Sequence, residues 1–495
     1  MSNIRVTYSG FIAFAVALIG IITGTIFVVI VTRRLSPEEF GLWTLLGSLV
    51  SYVTIIEPIL TYWTTRQIAR GEKIGKTALS TNSILAVVGF SIYFIIALIV
   101  SGPLDIDISI LLLASLLIPL SFVNNLLNSI CAGFKPQSIS YGIVAFETSK
   151  IPFGIFFVIL SSLGIYGAIL TTILASLTKL ILLLIMSREK LIGSIDRNSI
   201  KFWLRMSWLT LYMNIHGFIY KLDVLIFSLM TNSLFGLAIW GVTSAASNFV
   251  GNSDRISQGL FPKLLITRKK EMIEENLRRT MFFAIPILGA TVLFAKAALH
   301  TLNPKYVDAD VIVVILAFRT LLNVLTGFFF NMMESFEDVD LDKKAPIKLF
   351  IKSKLFTIPT VWLIFSLIYV ISLFIFLLFF PTKSDIELVF YWSLILLFTT
   401  IPFMIYGILT AKRKHFVVFP IKSVGKYTLA TIISIMPTYL VATLTLTYPQ
   451  AIWEFLPQII PVVVMGGVIY FAITYAIDKS TRELVKMIMG EIWKK

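Results

Sequence analysis

The protein has 495 residues, of which 57% are hydrophobic and 14% are charged, and its mean hydropathy is +0.90. Soluble domains carry about 25% charged residues, so a water-exposed surface of ordinary polarity cannot be built from this chain. The formal net charge is +15, but the basic residues lie in short runs between apolar blocks. That distribution favours the inner face of a membrane as the partner and disfavours nucleic acid.

The composition also argues against metal and disulfide chemistry. Cys131 is the single cysteine, which excludes a disulfide framework and the usual cysteine-based metal sites. His216, His300 and His415 are far apart in the sequence. The first apolar block, from about 9 to 31, is too long for the apolar region of a signal peptide, and no small-residue cleavage site follows it. We therefore expect no metal and no cofactor, and we interpret this block as the first membrane span.

The apolar residues fall in blocks of about 20, the length at which a helix crosses a hydrocarbon core of ~30 Å. They predict an all-α integral membrane protein with fourteen transmembrane helices and no room for a soluble domain. The predicted spans are 9–32, 40–63, 79–101, 107–131, 140–161, 163–186, 203–229, 234–260, 279–301, 308–333, 356–380, 386–411, 427–447 and 457–477.

The distribution of Lys and Arg predicts the orientation, because these residues accumulate on the cytoplasmic side. With the N-terminus inside, 32 of the 42 basic residues fall on the inside, the inner span ends included. Only 4 fall outside and 6 lie within spans. We therefore predict a multi-pass protein of the cell membrane with both termini in the cytoplasm.

Charges in the middle of a span cost at least ~2.5–3.5 kcal/mol on insertion scales, so they usually face a protein cavity or a partner. Lys150 lies near the middle of the fifth span, three positions after Glu147, which leaves a local ion pair and a cavity role both open. In the seventh span, Asn214 and Lys221 share a face that could line a cavity. Asp223 points elsewhere and could bond a neighbouring helix.

Two arginines extend this set. Arg255 lies on a small, polar face near the inner end of the eighth span, where a cavity role and extension of the side chain to the interface are both open. Arg319 lies near the middle of the tenth span, too deep for easy extension. The deep charge is thus mainly positive, and cationic groups recognise an anionic head group through charge-assisted hydrogen bonds. We predict that the substrate-binding residues of the cavity are Lys150, Lys221, Asp223, Arg255, Arg319 and Asn214.

Other polar residues in the spans have more ordinary explanations beside the functional one. Asn124, Asn125 and Asn128 of the fourth span could bind sugar hydroxyls or bond a neighbouring helix. Lys179 and Lys296 lie near span ends, where extension to the interface is expected. Prolines inside spans either shape the helices or act as hinges for alternating access. These prolines are Pro58, Pro152, Pro286, Pro359, Pro402 and Pro461.

The chain carries none of the common hydrolase or nucleotide-binding motifs. G-x-S-x-G, H-E-x-x-H and a Walker loop are all absent from the sequence. The outer loops are short, and the one with Asp105 and Asp107 has no basic or aromatic partners beside it. We therefore predict a transporter without catalytic residues, and we keep a membrane-embedded glycosyltransferase or ligase as the less favoured alternative.

Three short motifs carry a family resemblance. The run from Val31 to Trp43, VTRRLSPEEFGLW, resembles the polysaccharide-biosynthesis flippases of the Wzx type. Those proteins belong to the multidrug/oligosaccharidyl-lipid/polysaccharide exporter (MOP) superfamily, which also contains the MATE exporters. Lys221-Leu222-Asp223, followed by 232–237 and 261–263, looks like the second-half signature of that family. Phe40-Gly41-Leu42 also recurs as FGL at 235–237, an offset of 195 residues that suits parallel repeats.

The resemblance implies an architecture and a cargo. It implies two six-helix lobes related by a pseudo-two-fold axis along the membrane normal, at 1–200 and 201–411, followed by two additional helices at 412–495. It also implies that a polyprenyl-phosphate-linked or pyrophosphate-linked oligosaccharide turns from the inner to the outer leaflet. Lys221 and Asp223 would then be the basic and acidic pair of the seventh span.

The partners follow from this cargo. They would be the membrane lipid bilayer, the lipid-linked oligosaccharide and glycosyltransferase or ligase enzymes of the same assembly route, and we expect a monomer. A cation-coupled multidrug exporter of the same superfamily is the alternative, and it would need carboxylates rather than cations facing its cavity.

Overall fold

The computed structural model describes residues 6–135, 137–256, 270–336, 347–380, 384–415 and 419–483. Side chains are described in these ranges except at 6–18, 21, 255–256, 270, 347–348, 350 and 414–415. Every regular element in the described ranges is helical. A helix satisfies its backbone hydrogen bonds internally, which is what a bilayer requires of a spanning segment. The all-α prediction is therefore confirmed for the described part of the chain.

Most of the described helices begin and end close to the predicted spans, but the helix Leu234–Ser247 ends before the predicted end at 260, and the helix Ile347–Lys352 lies in a predicted loop. In chain order they are α1 (Val6–Arg34), α2 (Pro37–Thr54), α3 (Pro58–Ala69), α4 (Gly75–Ser101), α5 (Ile108–Ser115), α6 (Leu117–Phe134), α7 (Gln137–Gly154), α8 (Gly164–Ser187), α9 (Arg197–Thr231), α10 (Leu234–Ser247), α11 (Lys270–Leu293), α12 (Ala295–Leu302), α13 (Asp310–Ser335), α14 (Ile347–Lys352), α15 (Lys354–Phe379), α16 (Asp385–His415), α17 (Ile421–Thr445) and α18 (Ile452–Ile477). A π-helix (Ile155–Leu160) and the 3-10 helices Arg188–Lys190, Val250–Ile256 and Pro304–Ala309 connect or extend them.

Ten helical segments of the described residues are long and apolar enough to cross a membrane. Two bent pairs raise this number to twelve if each pair is one span: α2 with α3, bent by 63°, and α11 with α12, bent by 72°. α10 is apolar but only 14 residues long. The chain is thus a multi-pass membrane protein, and the count of fourteen spans stays a prediction.

The second predicted span is broken near its inner end. α2 begins with a capping box, in which the Ser36 hydroxyl accepts from the Glu39 amide and the Glu39 carboxylate accepts from the Ser36 amide. α2 ends at Thr54, and Pro58 occupies the first position of α3. Proline suits the first turn of a helix and disrupts the turn before it, because it has no amide hydrogen and disfavours helical geometry in the preceding residue. The break is therefore local in origin.

Pro286 lies inside α11 without breaking it. A proline at this position leaves the carbonyl of the residue four positions earlier without its helical donor. That residue is Phe282, and its carbonyl oxygen accepts a hydrogen bond of 2.7 Å from the Tyr470 hydroxyl of α18. A neighbouring helix thus satisfies the backbone group that the proline frees.

Contacts divide the chain into two compact units. Unit 1 comprises Met1–Gly241 and Pro359–Asp385, and unit 2 comprises Val242–Ile358 and Ile386–Lys495. In unit 1, α3, α6 and α9 pack around Leu60, Leu127 and Trp203. In unit 2, α11, α17 and α18 pack against one another. The lobe ranges 1–200, 201–411 and 412–495 and the pseudo-two-fold axis stay predictions.

The repeated FGL sequences mark positions where only glycine fits. A Cβ atom on Gly41 would lie 1.8 Å from the carbonyl oxygen of Leu234. The backbones of α2 and of the first residue of α10 can therefore approach each other only because residue 41 has no side chain. A Cβ atom on Gly236 would lie 2.7 Å from the Phe227 ring. Both distances are far below van der Waals contact, which gives the two glycines a packing reason.

Candidate functional site

Lys150 lies in the last part of α7, near the middle of the helical segment Gln137–Leu160, and forms the local ion pair that its spacing allows. Its Nζ is 2.6 Å from Oε2 of Glu147, and the residue is only 9% exposed. The ammonium group also lies 5.2 Å from the centre of the Phe27 ring and 4.7 Å from that of the Phe146 ring. An ion pair with two aromatic faces compensates much of the cost of burying the charge.

Glu147 faces a second lysine. The charge of Lys179 on α8 interacts with that of Glu147, and Gly24 of α1 lies so close that a Cβ atom there would be 3.4 Å from Oε2. The interface position of Lys179 stays a prediction; in the structure this residue is partly buried and lies within the helical segment Gly164–Lys190. Lys150 is ion-paired with Glu147, and Lys179 lies near enough for its charge to interact with the same carboxylate. This group, which we call the lysine cluster (Glu147, Lys150, Lys179), has a formal charge of +1.

Asp223 bonds a neighbouring helix, as its direction on α9 predicts. The residue is 3% exposed. Its Oδ2 accepts a hydrogen bond of 2.7 Å from the Tyr369 hydroxyl of α15, and its Oδ1 accepts one of 2.7 Å from the Val224 amide. Tyr220 stacks on Tyr369 with ring centres 5.2 Å apart. Asp223 thus joins α9 to α15 within unit 1.

Lys221 and Asn214 do not act together through any contact that the structure shows. The Lys221 side chain is exposed, while its carbonyl oxygen accepts a hydrogen bond of 2.5 Å from the Tyr52 hydroxyl of α2. Asn214 donates to the Thr210 carbonyl of its own helix at 2.8 Å. Among the two charged residues of this stretch, Lys221 is the accessible one and Asp223 is the buried one.

The two predicted arginines belong to unit 2. Arg319 is half-buried on α13. Arg255 falls in the 3-10 helix Val250–Ile256, which packs against α11 and α13, and its side chain lies outside the described residues. The structure therefore brings Lys150, Asn214, Lys221 and Asp223 into one unit and places the arginines in the other.

Glu57 is a buried charged group that the sequence reasoning missed. It lies at the break between α2 and α3, is 6% exposed, and accepts a hydrogen bond from the Asn125 side chain of α6 through Oε2. Its Oε1 is buried and has no hydrogen-bond partner among the described residues. Asn124 likewise bonds a neighbouring helix, donating to the Ser176 carbonyl at 3.1 Å, so the interhelical interpretation is confirmed for both asparagines. The sequence signal that could have revealed Glu57 is an acidic residue directly before a proline, Pro58, inside a predicted span.

The described residues hold no group of three or more His, Cys, Asp or Glu side chains that could ligate a metal ion. The charges deep in the described spans are instead lysines, Arg319 and carboxylates that are shared with lysine, tyrosine or asparagine partners. Such a set is suited to ion pairing and to anion recognition.

Two solved structures resemble this chain along most of its length. One is an inward-facing multidrug resistance MATE family transporter of the MOP superfamily, with 14% identity and a TM-score of 0.56, over 82% of this chain and 98% of that one. The other is the lipid II flippase MurJ in an inward closed conformation, with 13% identity and a TM-score of 0.65, over 97% of this chain and 100% of that one. The chain shares their fold. No family model and no curated protein matches its sequence.

This likeness gives the described helices an architectural context. The structural neighbours are membrane transporters, and the all-helical organisation of this chain is of their kind. At 13–14% identity the likeness extends to the fold alone, so the Wzx-type resemblance of the sequence motifs stays a prediction.

Proposed function

We propose that the protein is a flippase that moves an anionic polyprenyl-(pyro)phosphate-linked oligosaccharide from the cytoplasmic to the outer leaflet by alternating access. The route would serve the assembly of surface polysaccharide or glycoprotein. The lysine cluster carries this proposal. A surplus positive charge inside a membrane is costly unless an anion accompanies it, and a phosphate group is the anion that this cargo brings.

The ion pair of Lys150 offers a way to exchange partners. Glu147 holds the ammonium group of Lys150 at 2.6 Å, and together with Lys179 the cluster has two positive charges and one negative charge. A phosphate oxygen that entered beside Lys150 and Lys179 would restore neutrality through charge-assisted hydrogen bonds. The sugar would cross with the phosphate, and the polyprenyl chain would remain in the bilayer.

The remaining sequence-derived residues keep their proposed roles as cargo ligands. Lys221 is exposed and carries a positive charge, which suits a second contact to phosphate or to an acidic sugar. Asp223 orients α9 through Tyr369. Arg255, Arg319 and Asn214 complete the proposed set. We propose that both termini are cytoplasmic, that the protein acts as a monomer, and that glycosyltransferase or ligase enzymes supply and consume its cargo.

The extent of the fold likeness supports a lipid-linked cargo. The flippase MurJ matches 97% of this chain, whereas the MATE transporter matches 82% of it. The part without a MATE counterpart is close in size to the predicted two-helix addition at 412–495. A chain with additional membrane helices suits a cargo that carries a long lipid better than it suits a compact soluble drug.

A cation-coupled multidrug exporter is the second candidate. Glu57 favours it, because this carboxylate is buried and keeps one oxygen without a hydrogen bond among the described residues. Such a group can take up a proton or a small cation. The MATE likeness, with a TM-score of 0.56, is compatible with either candidate.

Purified protein in liposomes can separate the two candidates. We would follow the leaflet position of a polyprenyl-pyrophosphate-linked oligosaccharide, of the same sugar on an uncharged polyprenol, and of a soluble cationic dye. The flippase proposal expects movement of the phosphate-bearing lipid alone. Equal movement of the uncharged lipid would remove the role of positive charge, and movement of the dye alone would establish the exporter.

A further inference from the structure

An apolar groove runs along the membrane part of unit 2, between α11, α17 and α18, with a volume of about 320 Å³. It is open towards the position of the lipid, because Phe283, Val463 and Phe471 on its walls are 39%, 42% and 44% exposed. The α11 wall consists of Phe282, Phe283, Pro286, Ile287, Ala290 and Leu293, which recur at helical spacing, and Phe294 follows directly after the end of this helix.

Glycine shapes the opposite wall of this groove. A Cβ atom on Gly466 would lie 3.0 Å from Oγ1 of Thr438, so this glycine lets α17 and α18 approach each other. A Cβ atom on the adjacent Gly467 would meet no atom within 4 Å. The space beside Gly467 is therefore part of the open groove. A larger side chain at that position would enter the groove without striking the protein.

A small polar pocket of about 100 Å³ adjoins one end of the groove and shares the Phe282 side chain with it. The acidic side chains around this pocket are engaged in ion pairs. The pairs are Arg279 with Glu275, Lys426 with Asp478 at 3.4 Å, and Lys479 with Glu483 at 3.7 Å.

Arg278 lines the pocket and differs from these neighbours. Its Nε is buried and has no hydrogen-bond partner among the described residues, and no described carboxylate pairs with it. A guanidinium group with an unused buried donor is a natural ligand of phosphate, because its planar fork of donors matches the phosphate oxygens. The Ser480 and Thr481 side chains also line the pocket.

The length of the groove identifies the class of ligand. Phe282 and Leu293 are eleven positions apart within α11. That separation corresponds to ~17 Å along a helix. One leaflet of the hydrocarbon core is half of ~30 Å, so the groove is about one leaflet deep. An ordinary acyl chain spans one leaflet, whereas a polyprenyl chain is several times longer. The basic end lies on the predicted cytoplasmic side, where anionic lipids concentrate.

We propose that unit 2 binds one anionic glycerophospholipid of the inner leaflet, with its phosphate on Arg278 and one acyl chain in the groove. The lipid would fill the space between α11 and the helix pair α17–α18. Because the site uses none of the proposed cargo ligands, it stands independently of the proposed function. Its role would be to hold the C-terminal helix pair against the rest of unit 2.

Native mass spectrometry of the full-length protein in mild detergent tests this site. Phosphatidylglycerol, phosphatidylcholine and a polyprenyl phosphate would be titrated separately. We expect one tightly bound phosphatidylglycerol, with weaker binding of the other two. Arg278→Gln should weaken phosphatidylglycerol binding roughly tenfold, which corresponds to ~1.4 kcal/mol. Gly467→Leu should weaken it to a similar degree by filling the groove.

Matched controls separate the site from general effects. Gly425→Leu adds the same side chain at another position of α17. A Cβ atom on Gly425 would meet no atom within 4 Å, and Gly425 does not line the groove. Lys422→Gln removes a positive charge from an exposed side chain of α17 that lines neither the pocket nor the groove. Both should bind phosphatidylglycerol as the unchanged protein does. Gly467→Ala replaces Gly467→Leu if the larger change reduces the yield of folded protein.

Three results would overturn the proposal. The first is unchanged phosphatidylglycerol binding in both Arg278→Gln and Gly467→Leu. The second is equal binding of phosphatidylcholine, which would leave no role for the free guanidinium group. The third is a preference for the polyprenyl phosphate, which would make the groove a cargo site instead. Because no result depends on transport, failure here leaves the flippase proposal to its own test.

Discussion

At the scale of single residues, the neighbours of a buried charge decide what it can do. Lys150 has a carboxylate at 2.6 Å and two aromatic rings within 5.2 Å, whereas the Lys221 side chain is exposed. Both residues look alike in the sequence, since each is a lysine inside an apolar span. Only the first belongs to a described cluster with a second lysine and a shared acid.

The lysine cluster predicts a non-additive mutational pattern. Glu147→Gln would leave two lysines without their acid inside the membrane, and we expect a loss of stability on the order of 3–5 kcal/mol. Adding Lys150→Met should recover part of that loss, because the uncompensated charge then falls by one. Thermal unfolding of the purified variants in detergent measures both effects. A double variant as unstable as the sum of the two single changes would contradict the cluster.

Asp223 and Tyr369 predict a coupled pair. Tyr369→Phe removes the hydroxyl that donates to a buried carboxylate, and we expect a loss of about 1–3 kcal/mol. Asp223→Asn should cost less in the Tyr369→Phe background than alone, with a coupling of about 0.5–3 kcal/mol in a double-mutant cycle. Tyr439→Phe, at a residue that is 58% exposed, is the control and should change little. Strict additivity would rule out the bond as a stabilising contact.

At the scale of elements, breaks and close approaches shape helices that hydropathy presents as uniform. α2 and α3 meet at an angle of 63°, where a proline begins the second helix. α11 continues through Pro286, and the Tyr470 hydroxyl of α18 donates a hydrogen bond to the Phe282 carbonyl that this proline leaves without a helical donor. The same residue type thus has two outcomes. The difference lies in what the adjacent helices supply, and the use of any of these prolines as hinges stays a prediction.

The contact between α2 and α10 predicts an effect of a single methyl group. Gly41→Ala would place a carbon 1.8 Å from a backbone carbonyl oxygen, so the two helices must separate. We expect a loss of about 1–3 kcal/mol, as for overpacked cores, visible as a lower unfolding temperature. Gly47→Ala on the same helix is the matched control, because its Cβ atom meets nothing within 4 Å, and alanine there should stabilise by up to ~1 kcal/mol. Equal behaviour of both variants would contradict the close approach.

At the scale of the whole molecule, the chain shares its fold with transporters, while its own transport activity and cargo are proposals. Unit 1 contains the lysine cluster, Lys221 and Asp223, and unit 2 contains Arg319 and the lipid groove. Each unit therefore has charged features of its own, and unit 2 has in addition the groove that we propose for a glycerophospholipid.

The predicted topology can be tested by chemical labelling. Cys131, the single native cysteine, is fully buried, so we expect a thiol reagent to label introduced cysteines without labelling Cys131. Glu72→Cys lies in a predicted inner loop and Lys305→Cys in a predicted outer one, and both positions are exposed. In intact cells, a membrane-impermeant thiol reagent should label the second variant only, and in inverted vesicles the first only. The reverse pattern would place the termini outside.

The sequence by itself determined the membrane character and the approximate positions of most of the long described helices. These depend on the length and polarity of continuous segments, because the bilayer demands an apolar helix wherever the chain crosses it. The sequence also predicted the Lys150–Glu147 pair, since residues three apart share a helix face. It predicted the direction of Asp223 for the same reason.

Only the tertiary structure decided which distant helices supply the partners. The Lys179 charge meets Glu147 across two helices, Tyr369 reaches Asp223 from 146 positions away, and Asn125 reaches Glu57 from 68. The unused donor of Arg278 is visible only once the neighbouring carboxylates are seen to be paired. Hydropathy and spacing carry no information on these contacts, because they arise from the way helices pack and from which face of each helix remains in contact with lipid.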